Sequence, residues 1–395
     1  MKKKPTLLGA TLLVAGTSIG GGILGLPVIT AAGGFLPASL LFFLCWLFMA
    51  ATGLLFVELF LWSQKETNIV SMAKMNLGRV GQVIAWLLYL FLFYSLTVAY
   101  LSVGGKLFYD FLDLVNFGIR PILGIFLFLL LAAPFVVVGA DAVGKINVLF
   151  MGGLFVSFLI FIVLGAGEVK SSHLAHVDFS ASLIALPLIF TAFAFQGTVP
   201  TLTNYLKRDI AKIRLAIVLG SGLSFLFYMT FEVVILGSLS IESLNEALRL
   251  GETAIYPFKQ VVGKPWLVRV GEAFVFFAVI TSFFGVTLGL FDFLSDGLKI
   301  KKDVRGRFLL ALLVFGPPTL FSGLYPNLFL NALRWAGGIG CALLLGLLPI
   351  VMVAAGRYWH RFKGPYRLFG GRVLLLILTL FIVFELYQMI YNFFV

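Results

Sequence analysis

Apolar runs of about twenty residues recur from one end of the chain to the other, and that is the length an α-helix needs to cross the hydrocarbon core of a bilayer. The runs fall at approximately 6–31, 34–62, 80–104, 121–139, 146–166, 183–205, 214–237, 267–293, 307–323, 330–355 and 372–393 of the 395 residues. In lipid every backbone polar group needs a partner inside the protein, which leaves helices or a closed barrel. Runs of this length are helices, so an all-α polytopic membrane protein with about eleven spans is expected. Composition agrees, since 61% of residues are hydrophobic and 12% charged, about half the charged share of a soluble domain. No polar stretch is long enough for a separate soluble domain, and residues 1–395 read as one transmembrane domain. The opening Met-Lys-Lys-Lys mimics a signal peptide, but the apolar run behind it is too long and further spans follow, so a retained first span is expected.

The net charge of +12 would suggest nucleic acid in a soluble protein. Here it reads as topology. With the N-terminus in the cytoplasm, 21 of the 29 Lys and Arg fall inside, in loops 2–4, 65–79, 145, 207–214, 299–307 and 357–372. Seven fall outside, and Arg334 stands at an outer helix end. That asymmetry favours a cytoplasmic N-terminus and an outer C-terminus, with the lipid bilayer, and no nucleic acid, as macromolecular surroundings. Cys45 and Cys341 lie in apolar runs and support neither a disulfide framework nor a metal site. The longest outer loop, about 238–267, has the pattern of a short surface helix.

Two spans are interrupted. The first carries Gly20, Gly21 and Gly22 directly after Thr17, Ser18 and Ile19. Three consecutive glycines weaken a helix, and an unwound backbone inside a membrane is tolerated where it lines a cavity. The plainer alternative, close packing of another helix on small residues, suits a single glycine better than three. The sixth span carries Gln196, Gly197 and Pro200 near its middle. Each interrupted span opens a block of five, about 6–166 and 183–355, with 372–393 left over. An odd number of spans per block gives the halves opposite orientation. Interrupted helices at matching positions of two halves point to a transporter binding site.

These residues carry a family resemblance. Residues 16–27, Glu58 with 68–78, 94–102, 195–205 and 281–296 together resemble the hydroxy- and aromatic-amino-acid permeases, their tyrosine-specific branch in particular, over essentially the whole chain. The resemblance implies a LeuT-type five-plus-five inverted repeat with spans 1 and 6 broken and one extra C-terminal helix. It also implies uptake of an aromatic amino acid driven by the proton gradient across the bacterial inner membrane, without a cofactor. Many members of that family carry His at the position of Gln196. This chain has His173, His176 and His360, all in expected loops, so a histidine proton relay inside the membrane is not expected.

A zwitterionic substrate needs two opposite polar ends. Backbone N–H groups around Ser18–Gly22 suit its carboxylate, while carbonyls freed near Phe195 and Gly197 and the Thr17 hydroxyl suit its ammonium. Gln196 offers a polar partner for a ring hydroxyl. Tyr94 and Thr97 share a face of span 3, either as a site wall or as interhelical glue. Thr281, Gly285 and Gly289 form a small-residue stripe on span 8, and the resemblance alone suggests Thr281 and Ser282 as hydroxyl ligands of a sodium ion. Buried acids are functional candidates because burying them is costly. Glu58, about two turns from the inner surface, is the coupling candidate, with snorkelling as its rival. Glu232 is expected to reach the outer surface, Asp292 and Asp296 to be solvated, and Glu385 to serve packing or an oligomer contact.

An enzyme would need acids, histidines or a nucleophile converging at one membrane face, and none is visible. A channel would show a pore helix or filter loop. A secondary transporter of an aromatic amino acid is the expected function, tyrosine before tryptophan or phenylalanine. Sodium coupling and uncoupled exchange by the same fold remain open at this point.

Overall fold

The computed structural model describes residues 5–63, 68–113, 120–261, 265–325 and 327–394. Ten of its helices are long and apolar enough to cross a membrane, and the short apolar helix Leu7–Ser18 accompanies them. With that helix as the start of a broken span, the described residues give the eleven spans expected.

Span 1 runs as Leu7–Ser18, a single tight turn Gly21–Leu24, and a short helix Leu26–Thr30. Thr6 caps its start by accepting from the Gly9 N–H at 3.1 Å. Gly34, at φ +85°, turns the chain into span 2, Phe35–Trp62. A Cβ at Gly34 would lie 2.0 Å from the His176 carbonyl oxygen, so that corner needs glycine. Span 3, Ile69–Asp113, starts eleven residues before the expected residue 80. The Asn68 side chain caps a leading helix by accepting from the Ser71 N–H at 2.8 Å, and the helix kinks at Gly78, φ +71°. The polar residues there disguised a helix lying at the edge of the apolar run.

Spans 4 and 5 are Pro121–Val138 and Ala140–Gly165. Span 6 is broken into Leu186–Ala192 and Val199–Tyr205, joined by the turn Gln196–Thr198. Pro187 and Pro200 each sit in the first turn of a half, where a missing N–H costs nothing. Span 7, Ile210–Ser238, is capped by Asp209. The loop after span 7 holds the expected surface helix, Ile241–Leu250, capped by Ser240 and closed by the left-handed Gly251. Spans 8 and 9 are Pro265–Gly297 and Val304–Leu324. Span 10, Phe329–Trp359, contains a π-helical stretch, Ala336–Leu347. Span 11 is Gly371–Phe394.

Packing sorts the spans into two groups. Span 1 lies along span 7, span 7 along span 2, and the halves of span 6 along span 2. Span 3 lies against spans 4, 8 and 9, and span 8 against span 5. Span 10 touches both groups. The two interruptions meet where the groups face each other.

One acid differs from expectation. Glu232 does not reach the surface; it is 0% exposed, because the loop after span 7 folds over the end of span 1 and roofs this part of the molecule. The Ala254 N–H donates to the Leu24 carbonyl at 2.9 Å, and helix Ile241–Leu250 packs on Leu26–Thr30. Glu385 is also 0% exposed, in keeping with the packing alternative expected for it. Asp292 is half-buried and pairs with Lys302 at 2.7 Å, as a solvated helix end should.

Candidate functional site

A cavity of about 420 Å³ lies between the two interruptions. From the breaks it extends past Ile69, Tyr89 and Gly289, towards the end of the molecule that the charge pattern assigns to the cytoplasm.

The three glycines of span 1 each admit a neighbour. A Cβ at Gly20 would lie 2.4 Å from the Ser282 hydroxyl, one at Gly21 2.6 Å from the Tyr100 ring, and one at Gly22 3.3 Å from the Ala192 Cα. Spans 8, 3 and 6 thus all close on the same unwound stretch. The Gly21 N–H donates to the Ser282 Oγ at 2.8 Å, and Ser282 in turn donates to its own helix, at the Ala278 carbonyl, 2.8 Å. The hydroxyls of Thr17 and Ser18 turn back onto the Leu13 and Val14 carbonyls at 2.8 and 3.3 Å. The Tyr228 hydroxyl of span 7 lies 2.5 Å from the Ser18 carbonyl oxygen and 2.7 Å from that of Ala192. One hydroxyl hydrogen serves two acceptors, so the carbonyls of both breaks converge with acceptor capacity to spare.

Span 6 organises its break differently. The Phe195 N–H donates to the Oε1 of Gln196 at 2.9 Å. The Nε2 of Gln196 donates to the Met49 carbonyl at 3.2 Å and to the Thr52 hydroxyl at 3.0 Å, both on span 2. The amide is fully buried and well partnered. The Phe195 ring fits against Gly53, where a Cβ would lie 2.6 Å away.

The remaining walls are mixed. Span 3 contributes Tyr89, Phe93, Leu96 and Tyr100, with Tyr89 stacked on Phe93 at 4.1 Å between ring centroids. Span 5 contributes Asn147, whose Oδ1 is buried with no partner among the described residues. Thr281 and Gly285 of span 8 and Cys341, Leu344 and Leu345 of span 10 complete it.

The cavity therefore brings together Thr17, Ser18, Ile19, Gly20, Gly22, Phe195, Gln196, Gly197, Thr281 and Ser282, with Gly21 bonded to Ser282 beside it. Thr281 lines the wall with its hydroxyl on the Phe277 carbonyl, 2.7 Å. Tyr94 and Thr97 stand outside it. Tyr94 points to span 9 and donates to the Leu313 carbonyl at 2.8 Å, and the buried Thr97 donates to the Phe93 carbonyl at 2.7 Å. Sequence reasoning missed Tyr100, Asn147 and Tyr228. Tyr89, Phe93, Leu96 and Tyr100 do recur at helical spacing, but in a span apolar all round that stripe does not stand out.

Glu58 is also outside the cavity. It accepts from Arg357 at 2.7 and 2.5 Å and from the Leu368 N–H at 2.9 Å. This fork-on-fork pair is buried on both sides, so Glu58 neither snorkels nor stands free. A bidentate pair that joins span 2 to the end of span 10 has the geometry of a structural tie.

The sequence model of the tryptophan/tyrosine permease family matches residues 3–388. The chain belongs to this family. The permease is 33% identical to tyrosine-specific transport system 1 of Haemophilus influenzae, over 94% of this chain and 93% of that one. It is 28% identical to the tryptophan-specific transport protein of the same organism, over 96% and 94%. Its structure is similar to the crystal structure of MhsT in complex with L-phenylalanine, with a TM-score of 0.67, 99% of each chain covered and 14% sequence identity. The fold is thus the LeuT type that the family resemblance implied, and the permease is a multi-pass membrane transporter rather than an enzyme.

Proposed function

We propose that the permease imports an aromatic amino acid, tyrosine foremost, by proton symport with alternating access between its inverted halves, 6–166 and 183–355. The observation that carries this reading is the cavity between the two breaks. Backbone groups of Gly20–Gly22 face a substrate carboxylate, the converging Ser18 and Ala192 carbonyls suit an ammonium, and Tyr89, Phe93, Tyr100 and Phe195 offer aromatic walls for a ring. The transport of tyrosine and tryptophan by named relatives of this length supports the same substrate class. Proton coupling is supported by two fully buried carboxyls, Glu232 and Glu385, that bond to no cation among the described residues.

The host membrane in this reading is the bacterial inner membrane, with the N-terminus and the loops 207–214, 299–307 and 357–372 in the cytoplasm and the C-terminus outside. Cysteine labelling from outside intact cells should leave those three loops unmodified; modification would reverse the orientation. The deciding experiment is uptake of labelled tyrosine into proteoliposomes with proton and sodium gradients imposed separately. Accumulation with the proton gradient, competed by tryptophan and phenylalanine, is the expected result. Accumulation with sodium alone would replace the proton, and absence of tyrosine uptake under both gradients would remove the substrate.

A further inference from the structure

Span 7 holds span 1 at two levels. Tyr228 and Glu232 are four residues apart and so share a helical face. Tyr228 reaches the carbonyls of both breaks. One turn further out, a carboxyl oxygen of Glu232 contacts the hydroxyl of Thr30, the last residue of the short helix Leu26–Thr30. The other carboxyl oxygen is buried with no partner among the described residues.

Hydrogen counting decides what this contact can be. The Thr30 hydroxyl also lies 2.8 Å from the Leu26 carbonyl of its own helix, and it has one hydrogen to give. If that hydrogen is on Leu26, the bond to Glu232 needs a hydrogen from the carboxyl itself. If it is on Glu232, an anion would rest on one neutral hydroxyl with its second oxygen bare, in a site closed to water. A buried charge left so poorly compensated takes up a proton instead. Both layouts lead to a protonated carboxyl in this conformation.

Among the described residues no counter-charge bonds to this carboxyl, and Lys170, whose N–H donates to the Gly237 carbonyl, is exposed. On the elements packed against span 7, His173 is engaged with the Gly237 carbonyl and His176 with that of Ala32. Glu168 follows span 5, Asp141 and Lys145 lie at its other end, and on span 2 Cys45 is buried and Glu58 is taken by Arg357. Thr30 supplies the one side chain bonded to the Glu232 carboxyl among the described residues. Glu385, the other acid with buried unpartnered oxygens among the described residues, makes no bond to either broken span.

We infer that Glu232 is the proton-binding site of transport, its carboxylic acid latching the outer half of span 1 onto span 7. The step is carboxylate plus proton to carboxylic acid, with the proton taken from outer water and later released to the cavity. Protonation seats Leu26–Thr30 under its roof and closes the outer side; ionisation unseats it. This rests on the proton-symport reading above.

The test uses the full-length protein in proteoliposomes. An inward gradient of about one pH unit accumulates substrate up to about tenfold when one proton accompanies each molecule. E232Q keeps a neutral, latch-competent side chain but cannot ionise. It should lose gradient-driven tyrosine accumulation and tyrosine-dependent proton entry, while continuing to exchange tyrosine across the membrane in counterflow. E232Q that still accumulates tyrosine with accompanying protons overturns the assignment and leaves proton symport standing. Wild-type protein that ignores the proton gradient overturns the symport reading, and the assignment with it. Should E232Q lose exchange as well, E232D decides: gradient-driven accumulation with a displaced pH profile supports the assignment. An unchanged profile, or an inactive E232D, makes Glu232 structural and overturns it.

Discussion

The interruption in span 1 is held by its neighbours, whereas the interruption in span 6 is held by its own sequence. At span 1 the unwound backbone leans on a serine of span 8, a tyrosine ring of span 3 and a tyrosine hydroxyl of span 7. At span 6 the Gln196 amide satisfies the adjacent Phe195 N–H and staples the turn to span 2. Spans 1, 2, 6 and 7 pack together, so the span 6 staple lies within one body. The Gly21–Ser282 bond is different, because it reaches across to the group containing spans 3 and 8. Sliding the two bodies past one another would strain the span 1 break and leave the span 6 break intact. One break is a fixed point, and the other is where movement is felt.

Gln196→Leu breaks the comparison most severely. It leaves the Phe195 N–H buried without an acceptor, at a cost of about 1–3 kcal/mol, and removes both ties to span 2. Tyrosine and phenylalanine uptake should fall by equal factors, measured by competition at matched surface expression. A changed ratio would place the amide on the substrate ring instead. Gly21→Ala should follow, because its Cβ would lie 2.6 Å from the Tyr100 ring and overpacking of this kind costs about 1–3 kcal/mol. Uptake should drop and partly recover when Tyr100 is shortened to Leu; no recovery would mean that the glycine serves the backbone rather than the ring.

Ser282→Ala deletes the single bond between the bodies at Gly21 and should cost about 1 kcal/mol. The expected signature is a raised KM for tyrosine with a small fall in Tm at most. A lowered Tm with unchanged KM would show that the bond supports the fold alone. Smallest of all is Tyr94→Phe, which removes a hydroxyl from the Leu313 carbonyl outside the cavity. Stability should fall by at most about 1 kcal/mol, and uptake should stay at the wild-type level; a substrate-specific defect would return Tyr94 to the site.

Hydrophobic run length made the spans legible, and the glycines and Gln196 made both interruptions legible, because each violates what an uninterrupted membrane helix requires. The facing of span 3 was not legible. Apolar residues surround that helix, so nothing in its pattern separates Tyr94 and Thr97 from Tyr89, Phe93 and Tyr100. Glu232 was misplaced because position near a helix end was equated with exposure, while the roof over it comes from the Ile241–Leu250 loop. The partner of Glu58 is 299 residues away in sequence, and no local pattern reveals it. Donor and acceptor pairings between distant spans are the part that only three-dimensional structure supplies.

The chain has two cysteines, and the cavity wall includes one of them, Cys341, while Cys45 is buried outside it. The permease therefore carries a natural chemical reporter. Cys341 is 0% exposed, so a small membrane-permeant thiol reagent reaches it only when the packing beside Leu344 and Leu345 loosens. Saturating substrate should shield that thiol, and replacing Cys45 with Ala should leave the shielding unchanged. The rate of alkylation would then follow, in the otherwise unaltered protein, how often the cavity stands open and how often it is filled.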